Sequence, residues 1–167
     1  MWFKNIQIYR LLPEFKITYE LLNTALQRQP SRPCSQLEKH TFGWVSPLGV
    51  GHESLVHSTD DCLMFAAAKR EKILPASVVR DEAANQIVSQ EQEEGRSLSK
   101  RERRTVYDQT MLALLPKALC RTSVTCAYVD LTHELLFINT SSQKCADELV
   151  ILLRDCLGRL PLVLPQF

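Results

Sequence analysis

The residues with the most chemistry to offer lie on either side of Gly95. From Asp81 to Gly95 the chain carries five acidic residues and no Lys or Arg, and from Arg96 to Arg104 it carries five basic residues and one acid. Against a formal net charge of +1, cations crowded into so short a stretch create a local positive potential. The natural partner of such a potential is a polyanion, nucleic acid foremost. The plain alternative is a solvated pair of helix surfaces. Two further basic groups flank the reversal, Lys69, Arg70 and Lys72 before it and Lys117 and Arg121 after it. From Arg96 to Arg121 there are seven basic and two acidic residues, enough for several phosphate contacts.

The placement of these cations argues against a purely structural purpose. Ser99-Lys-Arg-Glu102 has the form of a capping box, which puts Lys100, Arg101, Arg103 and Arg104 in the first turns of a helix. That end of the helix dipole is positive, so each cation there costs about 0.3–1 kcal/mol. Lys100 with Arg104, and Arg96 with Lys100 if the helix reaches back, add like-charge neighbours at roughly 0.2–0.5 kcal/mol per pair. A phosphate-rich ligand reverses both penalties, because exposed N–H groups and cations then face the same anion. Nothing in the chain resembles a zinc finger, a recognition helix or an RNP strand, so the residues support backbone binding without base reading. Phe42 and Trp44 sit in an apolar strand and read as core rather than as stacking platforms.

Other chemistries find little support. There is no Walker loop, no G-x-S-x-G elbow and no His-Glu-x-x-His helix, so no enzymatic activity is expected. Asp130 and His133 fall in a presumed turn, and Ser54 and His57 offer a nucleophile and a base by type alone. The cysteines, at 34, 62, 120, 126, 145 and 156, lack paired spacing and read as small buried hydrophobes in a reducing compartment; no metal or other cofactor is expected. The longest apolar runs, such as Leu149 to Leu153, fall far short of the ~20 residues of a membrane span. The N-terminus lacks the layout of a secretory signal.

At 167 residues with 45% hydrophobic content, the chain fits one globular domain. Alternation predicts a strand over residues 2–11, and Tyr19, Leu22 and Leu26 mark a helix within 15–28, ended by Pro30 and Pro33. Strands follow at 42–49 and around 62–68. Pro75 opens a helix over 76–94 whose apolar residues (Val79, Ala83, Ile87, Val88) all lie in its first part. After the turn at Gly95, a second helix runs from 100 to about 115. Positions 100, 104, 107, 111 and 114 share one face and read Lys, Arg, Tyr, Met, Leu, so that face passes from basic to apolar. The two gradients together predict a helical hairpin arm at about 76–116, projecting from the domain with its charged tip near Gly95. A β-hairpin over 124–140, a helix capped by Ser141-Ser142 and ended by Gly158, and a short strand at Leu160–Leu164 complete the chain. The expected fold is α+β, a mainly antiparallel sheet with helices on one face plus the arm, as a single domain over 1–167.

Several strings in this chain resemble, in order and spacing, the RdgC family of recombination-associated proteins. They are Trp2-Phe-Lys-Asn5 with Tyr9-Arg-Leu11, Gly43-Trp-Val-Ser-Pro-Leu-Gly49, Lys69-Arg-Glu-Lys-Ile-Leu-Pro75, Leu114-Leu-Pro-Lys-Ala118 and Leu152-Leu-Arg-Asp-Cys-Leu-Gly-Arg-Leu-Pro161. The resemblance implies a bacterial, cytoplasmic, nucleoid-associated protein without enzymatic activity. It implies a ring-shaped dimer with a basic channel that binds duplex DNA with little sequence preference and limits RecA by competing for DNA. On that resemblance Lys69, Arg70, Lys72, Lys117 and Arg121 match channel positions, and Arg96, Lys100, Arg101, Arg103 and Arg104 belong to a projecting tip. Leu119 stands where family members often place an aromatic. The match covers only the N-terminal half of the family's usual length, which puts ring closure in doubt and leaves a homodimer through one interface, or none. The competing reading is a truncated assembly protein that does not bind DNA. Its arm would dock on an acidic protein surface or on a second subunit, with Asp81, Glu82, Glu91, Glu93 and Glu94 as the complement.

Overall fold

The computed structural model describes residues 4–164. Its elements run β1 (Gln7–Leu11), α1 (Tyr19–Leu26), β2 (His40–Val45), β3 (Val56–Thr59), β4 (Cys62–Ile73), α2 (Ala76–Glu94), α3 (Lys100–Leu114), a 3-10 turn (Leu115–Lys117), β5 (Leu119–Asp130), β6 (Leu135–Ile138), α4 (Gln143–Leu157) and β7 (Leu162–Val163). The fold is α+β. The strands form one sheet in the order β2-β4-β5-β6-β1-β7, with β3 also paired to β4. β1 is antiparallel to β6 and β7, β3 to β4, and β5 to β6. Trp2 and Phe3, expected in the first strand, lie outside the described residues. The chain divides into two compact units, one of residues 1–32, 42–69 and 123–167, the other of residues 33–41 and 70–122.

The first unit holds the main core. Leu63, Phe65 and Ala67 of β4, Ala127 and Val129 of β5, and Leu136 and Ile138 of β6 alternate toward one face, as the two-residue period of a strand requires. Leu22, Ala25 and Leu26 of α1 and Leu149, Leu153 and Cys156 of α4 join the same cluster, so both helices cover that face. Thr18 caps α1 and Ser142 caps α4, each side chain accepting from the backbone N–H three residues on. Trp44 is only 1% exposed, packs edge-on against Phe65 at 5.6 Å, and donates its indole N–H to Cys156 Sγ at 3.2 Å. It is a core residue, as its strand setting implied. Burying a side chain of this size contributes about 3 kcal/mol.

Gly43 makes the seat of Trp44 possible. The segment before β2 folds back on it, with Trp44 N–H donating to Gln29 O at 3.0 Å and Ser31 N–H donating to Trp44 O at 2.8 Å. A Cβ on residue 43 would lie 2.8 Å from Pro30 O and from the Ser31 backbone. Those neighbours are main chain and hydrogen-bonded, so they cannot yield cheaply.

In the second unit, α2 and α3 share little apolar surface. Val79, Ala83, Leu98, Val106 and Leu115 are buried, along with one polar side chain, Thr110, whose hydroxyl lies 2.7 Å from Val106 O and 2.8 Å from Gln86 Oε1 on α2. The anticipated face at 107, 111 and 114 is only half-buried, while the buried line runs one position earlier through Val106 and Thr110. Ile87 is half-buried and Val88 exposed. Gly95 ends α2 at φ 64°, a left-handed conformation that suits glycine. The anticipated capping box forms, with Glu102 N–H donating to Ser99 Oγ at 3.3 Å and Ser99 N–H donating to Glu102 Oε2 at 2.7 Å. Arg96 adds a two-pronged contact to the Glu102 carboxylate at 2.7 and 3.2 Å. The hydrogen bonds from Arg96 and Ser99 hold the Glu102 carboxyl down at about 2.

Two expectations need correction. All six cysteines are free, but only Cys126 and Cys156 are buried; Cys34 and Cys62 are half-buried, and Cys120 and Cys145 are exposed. Cys120 sits on the polar first stretch of β5, which is exposed from Leu119 to Val124, and Cys145 on the solvent side of α4, so neither enters a core. β4 and β5 are also longer than their apolar runs, each reaching 12 residues.

Two outcomes are expected. Gly43→Ala should lower unfolding free energy by about 1–3 kcal/mol, the cost of overpacking, read by urea denaturation; an unchanged midpoint would show that residues 30–31 move aside. The Glu102 carboxyl, depressed below its ordinary 4.5, should stabilise the start of α3 fully above pH 4.5 and lose that contribution as pH falls through about 2. In a carbon-detected NMR titration its midpoint should lie near 2 and rise toward 4.5 in Arg96→Gln. A wild-type midpoint near 4.5 would mean the turn is open in solution.

Candidate nucleic-acid interface

The first stretch of α3 carries the densest free charge. Lys100, Arg101 and Arg104 are exposed, and none of their side chains has a hydrogen bond or ion pair among the described residues. The capping box fixes where the helix begins and so fixes these three within its first two turns, with Lys100 and Arg101 in the first turn, where backbone N–H groups lack intrahelical partners. Lys100 and Arg104 are one turn apart on the same face, with Arg101 three residues from Arg104. No carboxylate pairs with any of the three among the described residues.

The other two cations of this stretch are neutralised within the unit. Arg96 Nη2 lies 2.6 Å from Glu94 Oε2 and 2.7 Å from Glu102 Oε1. Arg103 Nη2 lies 2.8 Å from Glu91 Oε1, and its Nε donates to Leu98 O. The same Glu91 oxygen accepts from Leu98 N–H at 2.8 Å. One carboxylate thus ties the end of α2 to the start of α3 and to the turn between them. Exposed pairs of this kind contribute little to stability. Their larger effect is to cancel two of the five cations.

The flanking groups divide in the same way. Lys69, in the first unit, donates to both oxygens of Glu148 at 2.7 and 2.9 Å and is neutralised there. Lys72 keeps its charge but spends its ammonium on Ser35 O and Gln36 O at 2.7 and 2.6 Å. Arg70 is half-buried and engaged. Arg121 lies 3.5 Å from Glu71, a loose and exposed pair. Lys117, closing the 3-10 turn, is exposed without a partner among the described residues. At ~1.5 Å per helical residue, Lys117 sits roughly 25 Å along the chain path from Lys100. The two free groups therefore cannot share one phosphate.

Lys39 escaped the sequence reading. Its carbonyl accepts from Lys72 N–H at 2.8 Å, and with Lys72, Tyr107 and Met111 it lines a cavity of about 260 Å³ in the second unit. It follows Glu38 in an irregular segment with no other basic residue beside it but His40, so only the pairing to β4 reveals its company. The pairs of catalytic type resolve into local structure. Asp130 accepts from Thr132 N–H, His133 N–H and His133 Nδ1, each at 2.9 Å, and those bonds hold its carboxyl below the usual range. Ser54 donates to Val56 O and His57 Nε2 contacts Thr59, so the two do not meet. No helix among the described residues is long and apolar enough to cross a membrane. No three His, Cys, Asp or Glu side chains gather as a metal site among them.

Known proteins match this chain throughout. A family model described as "Putative exonuclease, RdgC" matches residues 1–167. A recombination-associated protein RdgC of Aeromonas hydrophila is 40% identical over 98% of this chain and 54% of its own length. A protein of the same name from Pseudomonas syringae pv. tomato is 42% identical over 96% of this chain and 53% of its own, and one from Tolumonas auensis is 38% identical over 98% and 54%. The chain thus spans about half the length of the curated relatives it matches. A match over the whole chain, with near 40% identity to relatives that share one name, means that the chain belongs to the RdgC family of recombination-associated proteins.

Proposed function

We propose that this protein binds duplex DNA without sequence preference, through the free cations of α3 and the 3-10 turn, and limits the access of RecA to that DNA. The observation that carries the reading is the unpaired trio Lys100, Arg101 and Arg104 in the first two turns of α3. Folding alone does not favour that placement, since the helix dipole and the like-charge spacing both oppose it. A phosphate backbone supplies the missing counter-charge, and helix N–H groups and long cationic side chains suit its oxygens. Lys117 and the loosely held Arg121 extend the contact, with Arg70, Lys72 and Lys39 nearby in the chain's second unit.

In this reading α2 and α3 form a projecting arm, Lys69, Arg96 and Arg103 act mainly as structural cations, and the protein works in the cytoplasm on nucleoid DNA as a homodimer. Its action on recombination is competition for DNA rather than catalysis. The pairing of Glu91 with Arg103 and of Glu94 with Arg96 consumes, inside one chain, charges that an acidic docking partner would otherwise engage. That weighs against the assembly reading.

Affinity for unrelated duplexes should fall steeply with salt, with a log–log slope of roughly 0.9 per phosphate contact. Replacing Lys100, Arg101 and Arg104 together by Glu should cut affinity at least tenfold and shallow that slope by roughly 2–3. Arg103→Gln should change it much less. Binding that survives the triple reversal would overturn the assignment of the site, and a dimer lost in sedimentation without any DNA binding in the wild type would favour the assembly reading. Wild type, but not the triple variant, should slow RecA strand exchange on pre-bound duplex. End-labelled duplex incubated with the protein and Mg²⁺ should keep its length; progressive shortening would show an exonuclease and refute the non-enzymatic part.

A further inference from the structure

The cavity that Lys39 helps to line in the second unit changes character from depth to mouth. At about 260 Å³ it lies just below the ~300–1,000 Å³ of pockets for drug-sized ligands. Its depth is apolar, with Val79 only 2% exposed and Leu74 and Met111 half-buried. Its mouth is charged, with Lys39 and Glu71 exposed and Lys72 half-buried. Tyr107 supplies an aromatic wall, half-buried, and its hydroxyl has no hydrogen bond among the described residues.

The charges at the mouth do not cancel. The Lys39 ammonium has no partner among the described residues. Lys72 gives two N–H donors to Ser35 O and Gln36 O and keeps a third. Glu71, the one carboxylate of the lining, is shared with Arg121 at 3.5 Å. An apolar depth, one aromatic face and a positive mouth call for a ligand with a flat apolar body and an anionic group. An aliphatic acid would fill the depth and the mouth but leave the ring face and the open hydroxyl idle.

We propose that this cavity is a mononucleotide site, in which one unstacked base lies against the Tyr107 ring and its phosphate meets Lys39. Stacking on an aromatic face suits every base, so the site does not select among them. The Tyr107 hydroxyl and the third Lys72 donor serve sugar and phosphate oxygens. A free nucleotide and an unpaired nucleotide of a DNA strand offer the same chemistry. Tyr107 and Met111 share a face of α3 with Lys100 and Arg104, and Tyr107 lies roughly 10 Å along the axis from Lys100. A strand held by those cations can therefore place one base in the cavity. This DNA-borne form rests on the function proposed above, and the free form does not. A paired base stays out, because leaving the duplex costs stacking and pairing that an unpaired base has already lost.

The full chain should be titrated with dAMP while the Tyr107 ring and Met111 methyl signals are followed by NMR. Saturable shifts are expected at both, with affinity falling roughly tenfold in Lys39→Gln or when deoxyadenosine replaces dAMP, since each change removes a charge-assisted contact. In a second arm, a duplex with an unpaired 2-aminopurine overhang should lose fluorescence on binding, and the same base paired inside the duplex should change little. Quenching without dAMP shifts would assign the cavity to a DNA-borne nucleotide, and dAMP shifts without quenching to a free one. Silence in both arms, dAMP binding that Lys39→Gln leaves unchanged, or quenching that persists in Tyr107→Ala would each overturn the proposal. The wild-type arms need no variant, so a failure of Tyr107→Ala to fold leaves the test intact. A chain that binds dAMP but no duplex would refute the proposed function and uphold the cavity, whereas duplex binding with silence in both arms would do the reverse.

Discussion

The burial of the sheet's inner face beneath α1 and α4 is the constraint from which the rest follows. Leu63, Phe65 and Ala67 lock the first half of β4 into that core, and Ala127 and Val129 lock the second half of β5. The outer ends of both strands, from Lys69 to Ile73 and from Leu119 to Ser123, have no such core and are largely polar or exposed. They continue as strands because their neighbours are already in register. α2 and α3 are spliced between these two ends, so the charged part of the molecule is carried on strands whose stability comes from elsewhere.

That division explains how a thinly packed helix pair can carry so much charge. Val79, Ala83, Leu98 and Val106 are small for the task of holding 34 helical residues together. Polar contacts supplement them at the turn, where Glu91 and Glu102 each gather several donors. The acidic end of α2 is therefore less a counterweight spread in solvent than a set of specific acceptors. Once Arg96 and Arg103 are matched, the positive excess that remains is concentrated on three side chains.

Local punctuation was legible in the sequence because its physics is local. Pro75, Gly95, the Ser99–Glu102 box, Ser142 and Gly158 mark helix ends by steric and hydrogen-bonding rules that involve only near neighbours. The basic clusters were legible for the same reason. What the sequence hid depends on distant partners. β3 is a four-residue strand with a mixed pattern that exists by pairing with β4. The buried line of α3 runs through Thr110, whose hydroxyl has partners in Gln86 on α2 and in Val106 O, rather than through Met111, which lines a cavity and is half-buried. Which cations are free could not be read at all, because Lys69 finds Glu148 across 79 residues and Arg121 finds Glu71 across 50. Apolar neighbours in sequence do not bury a thiol by themselves: Cys120 lies on the exposed lead-in of β5.

Thr110 has a consequence for how faithfully the charged turn is placed. Its hydroxyl contacts Gln86 Oε1 on α2 as well as Val106 O of its own helix, and a slip of α3 along α2 by one helical turn, ~5.4 Å, would break the first contact while leaving the second. An all-apolar interface would tolerate that slip, since one aliphatic contact resembles the next. The contact between buried Thr110 and exposed Gln86 therefore works as an indexing mark: it adds little to the total stability, but it favours one axial phase over its near-equivalents, and with it the height at which the far end of α3 presents its charge.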